Sequence, residues 1–432
     1  MKKLIWGTVL VGMAAWLLPS IGLLPDWDVW AWRKQLIYFS GLASFMLMTV
    51  VMLLAIRPHW LEKPLGGLDK MYSLHKWAGI WSVVFALLHY GIKLAKGPML
   101  MLFGEATKGP RIETFLDVFR GSAKDLGEWS LWIFAAMVLV ALWQRFPYHL
   151  WRYVHKALAV FYLIIVFHSI VLTPAQWWLQ PTGMLIALAS VLGTYAALVS
   201  LSGRIGRSRT HSGKLLEVRH LQSDMVELVC QLDGRWQHEP GQFAFVRFEG
   251  IADPHPFTIA SADQGNGQLH FAIKALGDHT RQLVRELQPG QSVRVEGPYG
   301  RFDLPQQKGD EEQVWVAAGI GVTPFIAWLE GLQERPEQAP VASLHYCANN
   351  EQEAVFADRL QQLCEKLPSI RLHVHLSQRD GKLDSSQLLA GRGDNTRVWF
   401  CGPEGFADSI AQAMNQLGMN PHNLHRELFR IR

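Results

Sequence analysis

Six long apolar runs fill the first half of the chain and set what it can fold into. They cover about residues 4–24, 36–56, 73–95, 129–144, 150–172 and 182–201. About 20 helical residues cross a hydrocarbon core and about 17 suffice, so five runs qualify and the fourth is marginal. The sequence therefore predicts six membrane-spanning helices within residues 1–203.

The composition changes near residue 203. Residues 1–203 hold 14 of the 18 Trp and carry a net charge of +8, whereas residues 204–432 carry −4. The overall charge of +4 therefore describes no single basic surface, and we expect no nucleic-acid partner. The cysteines all lie in the second half without close spacing, which argues against a disulfide framework and favours a reducing setting. They are Cys230, Cys347, Cys364 and Cys401.

Charged residues between the spans indicate the orientation. An even number of spans puts both termini on one side, and loops on that side carry basic residues such as Arg57, Lys70 and Arg145. The positive-inside tendency makes that side cytoplasmic. We therefore expect a multi-pass protein of the cell (inner) membrane, in contact with the lipid bilayer, with both termini cytoplasmic. The longest outer loop, about residues 96–128, includes a predicted amphipathic helix at 111–120.

Four histidines fall inside the predicted spans at nearly equal spacings. His75 and His89 lie 14 residues apart on the third span, and His155 and His168 lie 13 apart on the fifth. These two spans run parallel, so His75 lies level with His155 near the inner face and His89 with His168 near the outer face. Ionisable groups within a bilayer are costly and are usually functional.

Imidazoles that face each other across a helical bundle are what bis-His haem ligation requires. We expect these four residues to ligate the iron of two stacked haems, b-type by expectation; the alternative is four hydrogen-bonded core histidines. Thirteen residues of ideal helix turn the second ligand by about 140° from the first, so a bend or a π-bulge is expected between His155 and His168.

The second half predicts two domains after a basic linker at 204–213. Residues 214–305 show short alternating strands separated by turn signals, typical of a small antiparallel β-barrel. From Val314 a buried strand runs into Gly319-Ile-Gly-Val-Thr-Pro324 and an apolar helix, and later strands alternate with helices. This pattern predicts an α/β parallel-sheet nucleotide domain over 306–432. The expected fold class is a multidomain membrane protein: an all-α six-helix transmembrane bundle at 1–203, then the barrel and the α/β domain.

Five motifs occur in the order seen in the ferric reductase and NADPH oxidase family, whose soluble half is similar to ferredoxin–NADP reductase. They are His255-Pro-Phe-Thr258, Leu276-Gly-Asp-His-Thr280, Gly297-Pro-Tyr-Gly300, Gly319-Ile-Gly-Val-Thr-Pro324 and Cys401-Gly-Pro-Glu-Gly405. With the four histidines, the chain resembles this family over nearly its whole length.

The resemblance implies an NAD(P)H-dependent flavohaem oxidoreductase. It would pass electrons from cytoplasmic NADH or NADPH through FAD and two haems to a small outer acceptor, either a ferric chelate or oxygen, the latter giving superoxide. Two alternatives remain open. The chain could be an electron-supply subunit for a periplasmic redox protein that docks on the 96–128 loop, or a non-redox membrane protein with a degenerate reductase tail.

The resemblance also assigns flavin-binding residues. The strand containing His255, Pro256, Phe257 and Thr258 would lie against FAD, with His255 at the pyrophosphate or ribityl and Thr258 near the isoalloxazine N5 as a catalytic residue. Gly277 and Thr280 resemble a second phosphate-binding turn, where backbone N–H groups and a hydroxyl suit a diphosphate. In the C-terminal tail, Phe429 would cover the flavin.

The nucleotide site is assigned in the same way. Gly319, Gly321 and Thr323 would let the pyrophosphate of the nicotinamide nucleotide approach a helix N-terminus that Pro324 opens. Cys401 and Gly402 resemble the residues beside the nicotinamide, which makes Cys401 the second catalytic candidate.

Two departures from the family pattern bear on specificity. Members that prefer NADPH often place an Arg just after the Cys that ends the second nucleotide strand, but here Cys347 is followed by Ala-Asn-Asn, which favours NADH unless Arg379 supplies the charge. Superoxide-producing members have a second His four residues after the outer ligand, where this chain has Lys93. Lys93 and Arg33 are candidates to pair with haem propionates or to attract an anionic ferric chelate.

Overall fold

The structure is a computed structural model, and it describes residues 2–20, 28–105, 112–143, 145–222, 224–251, 253–304 and 311–426. Its contacts divide the chain into two compact units, one ending at Ile205 and one beginning at Gly206. Each unit is described by itself below.

The described residues of the first unit form eight α-helices. They are α1 (Lys2–Leu17), α2 (Val29–Ala55), α3 (His59–Leu65), α4 (Leu68–Leu94), α5 (Lys96–Phe103), α6 (Arg120–Leu142), α7 (Tyr148–Leu172) and α8 (Pro181–Leu201). Six helical segments among the described residues are long and apolar enough to cross a membrane, which confirms the predicted six-helix bundle. The short helix α3 lies between the second and third spans, whereas α5 continues α4 within the third candidate span, Leu68–Phe103.

The fourth span differs from its prediction. The apolar run suggested a marginal helix at 129–144, but α6 begins nine residues earlier at Arg120 and spans 23 residues. The predicted amphipathic helix at 111–120 is wrong: Phe115–Phe119 form a 3₁₀ turn that leads directly into α6. The Asp117 side chain accepts a hydrogen bond from the Thr114 backbone N–H at 2.8 Å, which fixes the turn. The fourth helix therefore includes polar residues at its start, and a prediction from the apolar run alone made it too short.

Buried hydroxyl groups connect the spans where water is absent. The Ser44 hydroxyl on α2 donates to the Ser82 carbonyl on α4 at 2.8 Å. The Tyr162 hydroxyl on α7 lies 2.8 Å from the Thr49 hydroxyl on α2 and donates to the Ala189 carbonyl on α8 at 3.1 Å. Each hydroxyl thereby finds a partner that hydrocarbon cannot supply, so these contacts fix helix positions as well as stabilise them.

The second unit begins with a six-stranded antiparallel sheet. Its strands are β1 (Thr210–Leu221), β2 (Met225–Leu232), β3 (Phe243–Phe248), β4 (His255–Thr258), β5 (Gln268–Lys274) and β6 (Ser292–Tyr299), with α9 (Asp278–Glu286) after β5. The spatial order is β4-β3-β6-β1-β2-β5, and an antiparallel bridge between Ile259 and Phe271 closes β4 onto β5. The sheet is therefore the predicted barrel. Its first strand starts at Thr210, inside the segment predicted as linker.

A five-stranded parallel sheet follows. Its elements are β7 (Gln313–Ala318), α10 (Thr323–Gln333), β8 (Ala342–Ala348), α11 (Ala357–Glu365), β9 (Ile370–Leu376), α12 (Ser377–Asp380), α13 (Ser385–Leu389), β10 (Arg397–Cys401), α14 (Glu404–Gln416) and β11 (Leu424–Arg426). The order β11-β10-β7-β8-β9 puts β7 at the centre. Helices α10 and α11 cover one face of the sheet, and α13 and α14 cover the other. This is the predicted nucleotide-binding architecture.

Side chains of the parallel-sheet domain contact the barrel directly. The Trp328 indole on α10 donates to the carbonyls of Pro240 and Phe302 at 3.2 and 3.1 Å. Arg359 on α11 pairs with Glu227 of β2 at 2.6 Å and also with Glu330 of α10. Glu227 is buried, and its carboxylate also contacts Arg219 at 3.3 Å, so two arginines balance its charge. These contacts hold the two domains of the second unit in one arrangement.

Candidate functional site

The structure brings the four histidines of the membrane unit together in the two expected pairs. The ring centres of His75 on α4 and His155 on α7 are 5.8 Å apart. Those of His89 and His168, on the same two helices, are 6.4 Å apart. Each pair thus faces across the interior of the bundle from parallel helices, at two levels along the helix axes.

Backbone carbonyls orient three of the four rings. The Nδ1–H groups of His75, His89 and His168 donate to the carbonyls of Val51, Ile37 and Ala123 at 3.0, 2.8 and 2.7 Å. A carbonyl can only accept, so Nδ1 carries the proton in each ring and Nε2 keeps its lone pair. Fixing the tautomer and the ring in this way is how proteins prepare imidazole ligands for a metal.

The α2 and α4 partners recur at seven-residue intervals. Along this seam, α4 presents His75, Ser82 and His89 to α2 residues Val51, Ser44 and Ile37. Seven residues return to nearly the same helix face, so two antiparallel packed helices can place three hydrogen bonds along one seam. The histidines of α4 donate to α2 carbonyls, and between them the Ser44 hydroxyl of α2 donates to the Ser82 carbonyl of α4. The 14-residue spacing of the histidines follows from two such intervals.

His155 differs from the other three. Its ring stacks on Trp151 at 4.7 Å, and its buried Nδ1 has no hydrogen-bond partner within the described part of the chain. The predicted π-bulge between His155 and His168 is absent, because α7 is α-helical throughout. The alternative expectation, a bend in α7, stays a prediction. The two rings also have different contacts, His155 with the Trp151 indole and His168 with the Ala123 carbonyl.

Two glycines make room for the outer rings. A Cβ added at Gly127 on α6 would lie 2.2 Å from Nδ1 of His168, a distance that real Cβ contacts essentially never show. A Cβ at Gly41 on α2 would lie 3.0 Å from Nδ1 of His89. Helical glycine is unfavourable by roughly 0.5–1 kcal/mol relative to alanine, so close approach of the imidazole accounts for it here.

The charged residues near the outer pair are already engaged. Lys93 contacts Glu128 at 2.6 Å, and the Tyr90 hydroxyl donates to the same carboxylate at 2.8 Å. Arg33 donates to the carbonyls of Ile92 and Lys93 at the end of α4, at 3.0 and 2.6 Å. The two predicted outer cations therefore have internal partners, and a propionate or an anionic acceptor would compete with them.

In the second unit, β4 brings the predicted flavin residues next to the α9 turn. His255, Pro256, Phe257 and Thr258 form β4, all half-buried, and pair with β3. The His255 ring stacks on His279, the second residue of α9, with ring centres 3.4 Å apart and planes inclined by 13°.

The turn before α9 is held by one hydroxyl. Oγ1 of Thr280 accepts hydrogen bonds from the N–H groups of Leu276 and Gly277 at 2.9 and 3.0 Å. Gly277 and Thr280 therefore lie together at the start of the helix, as predicted for a phosphate-binding turn, although Thr280 itself takes up two of the backbone donors.

The glycine turn predicted for the nucleotide follows β7 and packs against the carboxyl end of β10. Gly319 has a left-handed φ of +55°, and a Cβ at Gly321 would lie 2.3 Å from the carbonyl oxygen of Cys401. A Cβ at Gly402 would lie 2.7 Å from Cβ of Ala318. The two glycine segments therefore pack against each other, backbone to backbone, and place Cys401 beside the turn.

The helix after this turn begins as predicted. Thr323 and Pro324 are the first residues of α10, and the Thr323 hydroxyl donates to the Ile320 carbonyl at 3.2 Å. Cys401 is the last residue of β10 and is buried. Its proposed role at the nicotinamide is therefore supported by its position beside the glycine turn and not by exposure of its side chain. The predicted flavin cover, Phe429, lies outside the described residues.

The candidate for phosphate recognition on the dinucleotide is paired internally. Arg379 makes two contacts with Asp380, at 2.7 and 3.0 Å. The hydrogen bond from Arg379 lowers the pKa of Asp380 to about 2, so this carboxylate is ionised at neutral pH. Asn349, at the end of β8, accepts from the Gln378 backbone N–H at 2.9 Å, which holds Arg379 close to the strand end.

Comparisons with known protein families follow the same three parts of the chain. Residues 40–166 match the family described as "Ferric reductase like transmembrane component". Residues 210–303 match an FAD-binding domain, and residues 315–412 match an oxidoreductase NAD-binding domain. The chain is a ferric-reductase-like membrane protein with FAD-binding and NAD-binding domains. The predicted family resemblance and fold class are confirmed.

This ferric-reductase-like protein has several curated relatives. It is 29% identical over 172 residues to the vanillate O-demethylase oxidoreductase of Pseudomonas sp. (strain HR199 / DSM 7063), covering 39% of this chain and 52% of the relative. It is 31% identical over 217 residues to the respiratory burst oxidase homolog protein E of Arabidopsis thaliana, covering 43% of this chain and 22% of the relative. An NADPH oxidoreductase of Mycobacterium tuberculosis is 26% identical over 242 residues, covering 54% and 63%.

Each of these relatives matches only part of the chain, and each match covers less than two thirds of the relative. The three family matches show a multi-pass membrane oxidoreductase with FAD-binding and NAD(P)-binding domains.

Sequence reasoning about this ferric-reductase-like protein missed the groups that orient the histidines. The carbonyls of Ile37, Val51 and Ala123 leave no trace in side-chain identity, because every residue has one. Gly127 was detectable as a glycine inside a predicted span, and its position opposite His168 required the structure. His279 was visible inside the Leu276–Thr280 motif, but its stacking on His255 was not.

Proposed function

We propose that this protein passes electrons from NADH or NADPH on the cytoplasmic side of the cell membrane, through FAD and two bis-His haems, to an acceptor at the outer face. The observation that carries the proposal is the two facing imidazole pairs, His75 with His155 and His89 with His168. When bound, the flavin would accept a hydride and release single electrons, which the haems would relay across the hydrocarbon.

The facing rings leave room for one metal ion between each pair, because their ring centres are 5.8 and 6.4 Å apart. His75 and His155 would hold the iron of one haem, and His89 and His168 that of the other. Because the Nδ1–H groups of His75, His89 and His168 donate to backbone carbonyls, the Nε2 lone pairs of these rings are available to bind a metal.

The soluble unit supplies the donor side. We assign Thr258 to the flavin N5, because it shares β4 with His255, whose ring stacks on His279 at the α9 turn. We assign Cys401 to the nicotinamide, because it ends β10 beside the glycine turn. His255, Gly277 and Thr280 would hold the FAD diphosphate. The glycines at 319, 321 and 402 would form the turn that admits the dinucleotide. A side chain at 321 or 402 would meet neighbouring backbone or side-chain atoms and push the two segments of this turn apart.

The outer acceptor is proposed to be a ferric chelate or oxygen. The second candidate function is electron supply to a periplasmic redox protein that docks on the outer segment between the third and fourth spans. Rapid oxidation of the reduced protein by oxygen or ferric citrate alone would favour the first candidate, and slow oxidation by both would favour the second.

For the dinucleotide, we expect NADH to be preferred, because Asp380 neutralises Arg379. Asp380→Asn keeps an acceptor for the Leu376 backbone N–H but removes the charge, so Arg379 can contact a 2′-phosphate. The ratio of kcat/KM for NADPH to that for NADH should rise roughly two- to fivefold, the size expected of an exposed ion pair. An unchanged ratio would show that Arg379 does not face the dinucleotide.

The route is tested by rapid-mixing spectroscopy of His168→Ala with NADH. The variant should reduce its flavin at the wild-type rate, lose the absorbance of one haem, and no longer reduce an outer acceptor. His220→Ala, at an exposed position on β1, is the control and should behave as wild type. Full haem content and full acceptor reduction in His168→Ala would contradict the proposed ligand set.

A further inference from the structure

Two imidazoles form an unusual contact beside the proposed flavin site. His255 comes from β4 and His279 from the first turn of α9, and their rings lie face to face with centres 3.4 Å apart. Two protonated imidazoles at that distance would repel strongly, so the pair as seen holds at most one charge. Burial lowers the pKa of both histidines, and it lowers that of His279 to about 4.

The hydrogen bonding of the pair is incomplete. His255 Nδ1 lies 3.2 Å from the carbonyl of Asp253, whereas the buried Nε2 of His279 has no hydrogen-bond partner among the described residues. Buried polar atoms nearly always have partners, so an unsatisfied ring nitrogen in a proposed ligand site points to a group that the ligand supplies.

The charged neighbours do not provide that group. Asp253, which precedes β4, and Asp278, the first residue of α9, are both acidic. The guanidinium of Arg281 lies 3.1 Å from the Asp278 carboxylate. A diphosphate placed at this turn would meet a carboxylate on each sequence flank, and a protonated histidine would offset that negative charge.

We propose that His279, stacked on His255, is a second diphosphate-binding residue of the flavin site and that the pair takes up a proton from solvent when FAD binds. The inference rests on the proposed function, since it assumes that FAD occupies the site. No covalent bond changes: one imidazole gains a proton, and its N–H donates to a phosphate oxygen.

The sign of the pH dependence follows from linkage. The diphosphate raises the pKa of the imidazole that it contacts, so the bound state holds more protons than the free state at pH values between the two pKa values. FAD affinity is then highest at low pH and falls as pH rises through the bound-state pKa, by at most about tenfold per pH unit for one proton. Above that pKa the affinity no longer depends on this group.

The test is calorimetric titration of FAD into the full-length, flavin-depleted protein at pH 6.5. Measurements in two buffers with different ionisation enthalpies give the number of protons taken up on binding. We expect net uptake of up to about one proton per FAD, and a dissociation constant at least about threefold larger at pH 8 than at pH 6. His279→Phe keeps a stacking ring without a titrating nitrogen and should lose both the uptake and the pH dependence.

His220→Phe, an exposed position on β1, is the matched control and should keep the wild-type proton uptake. FAD binding without proton uptake, or uptake that persists in His279→Phe, would overturn the inference and leave the proposed function standing. Failure of the wild-type protein to bind FAD at any pH would instead overturn the proposed function. The wild-type measurement decides between these outcomes even if His279→Phe folds poorly.

Discussion

Gly127→Ala is expected to remove the outer haem while leaving the inner one. The added Cβ would lie 2.2 Å from Nδ1 and 2.4 Å from Cε1 of His168, so the ring must leave its hydrogen bond to the Ala123 carbonyl. A buried N–H left unpaired costs about 1–3 kcal/mol, and loss of a ligand-orienting contact typically lowers metal affinity about 10–100-fold. Haem content should fall from two to one per chain.

Gly121→Ala on the same helix is the matched control, because nothing lies within 4 Å of its added Cβ. It should keep both haems and be slightly more stable, since alanine favours the helix. The measurement is the haem-to-protein ratio together with the reduced-minus-oxidised spectrum of each purified variant. Equal haem content in the two variants would show that His168 does not need the contact with α6.

Gly321→Ala is expected to slow reduction of the flavin by NADH about 100-fold without affecting either haem. Its Cβ would lie 2.3 Å from the carbonyl oxygen and 2.6 Å from the carbonyl carbon of Cys401. These are backbone atoms of the central sheet, so the nucleotide turn must move away from β10. Misplacement of reacting groups by about 1 Å can lower a rate about 100-fold, which is the loss expected here.

Gly393→Ala, between α13 and β10 of the same domain, has nothing within 4 Å of the added Cβ and should reduce flavin at the wild-type rate. Both variants should bind FAD and should show full haem reduction by a chemical reductant that bypasses the dinucleotide. Wild-type NADH-dependent flavin reduction in Gly321→Ala would remove the turn from the nucleotide site.

The sequence predicted the parts of the fold that depend on local pattern. Runs of apolar residues located the spans, alternation located the barrel, and the glycine turn after β7 located the start of the parallel sheet. The predictions were wrong where tertiary contacts determine how long a helix is or how its residues are placed. The fourth span extends through polar residues to Arg120, and α7 carries both histidines at a 13-residue spacing without a π-bulge.

For the candidate site, too, some features could be predicted from the sequence and others could not. Spacing alone paired His75 with His155 and His89 with His168, because parallel helices bring equal intervals to equal depth. The groups that orient these rings could not be predicted from spacing: the carbonyls of Ile37, Val51 and Ala123 are backbone atoms. Their positions depend on how α2 and α6 pack against α4 and α7, which is a tertiary property.

The central claim is that two haems are held by the four histidines, and their stoichiometry tests it most directly. Purified wild-type protein should contain two haems and one FAD per chain, and both haems should be six-coordinate. Replacing His75 or His89 by alanine should leave one haem, and replacing both should leave a yellow protein that still binds FAD. A wild-type protein that binds FAD without haem, or a double variant that keeps two haems, would contradict the account.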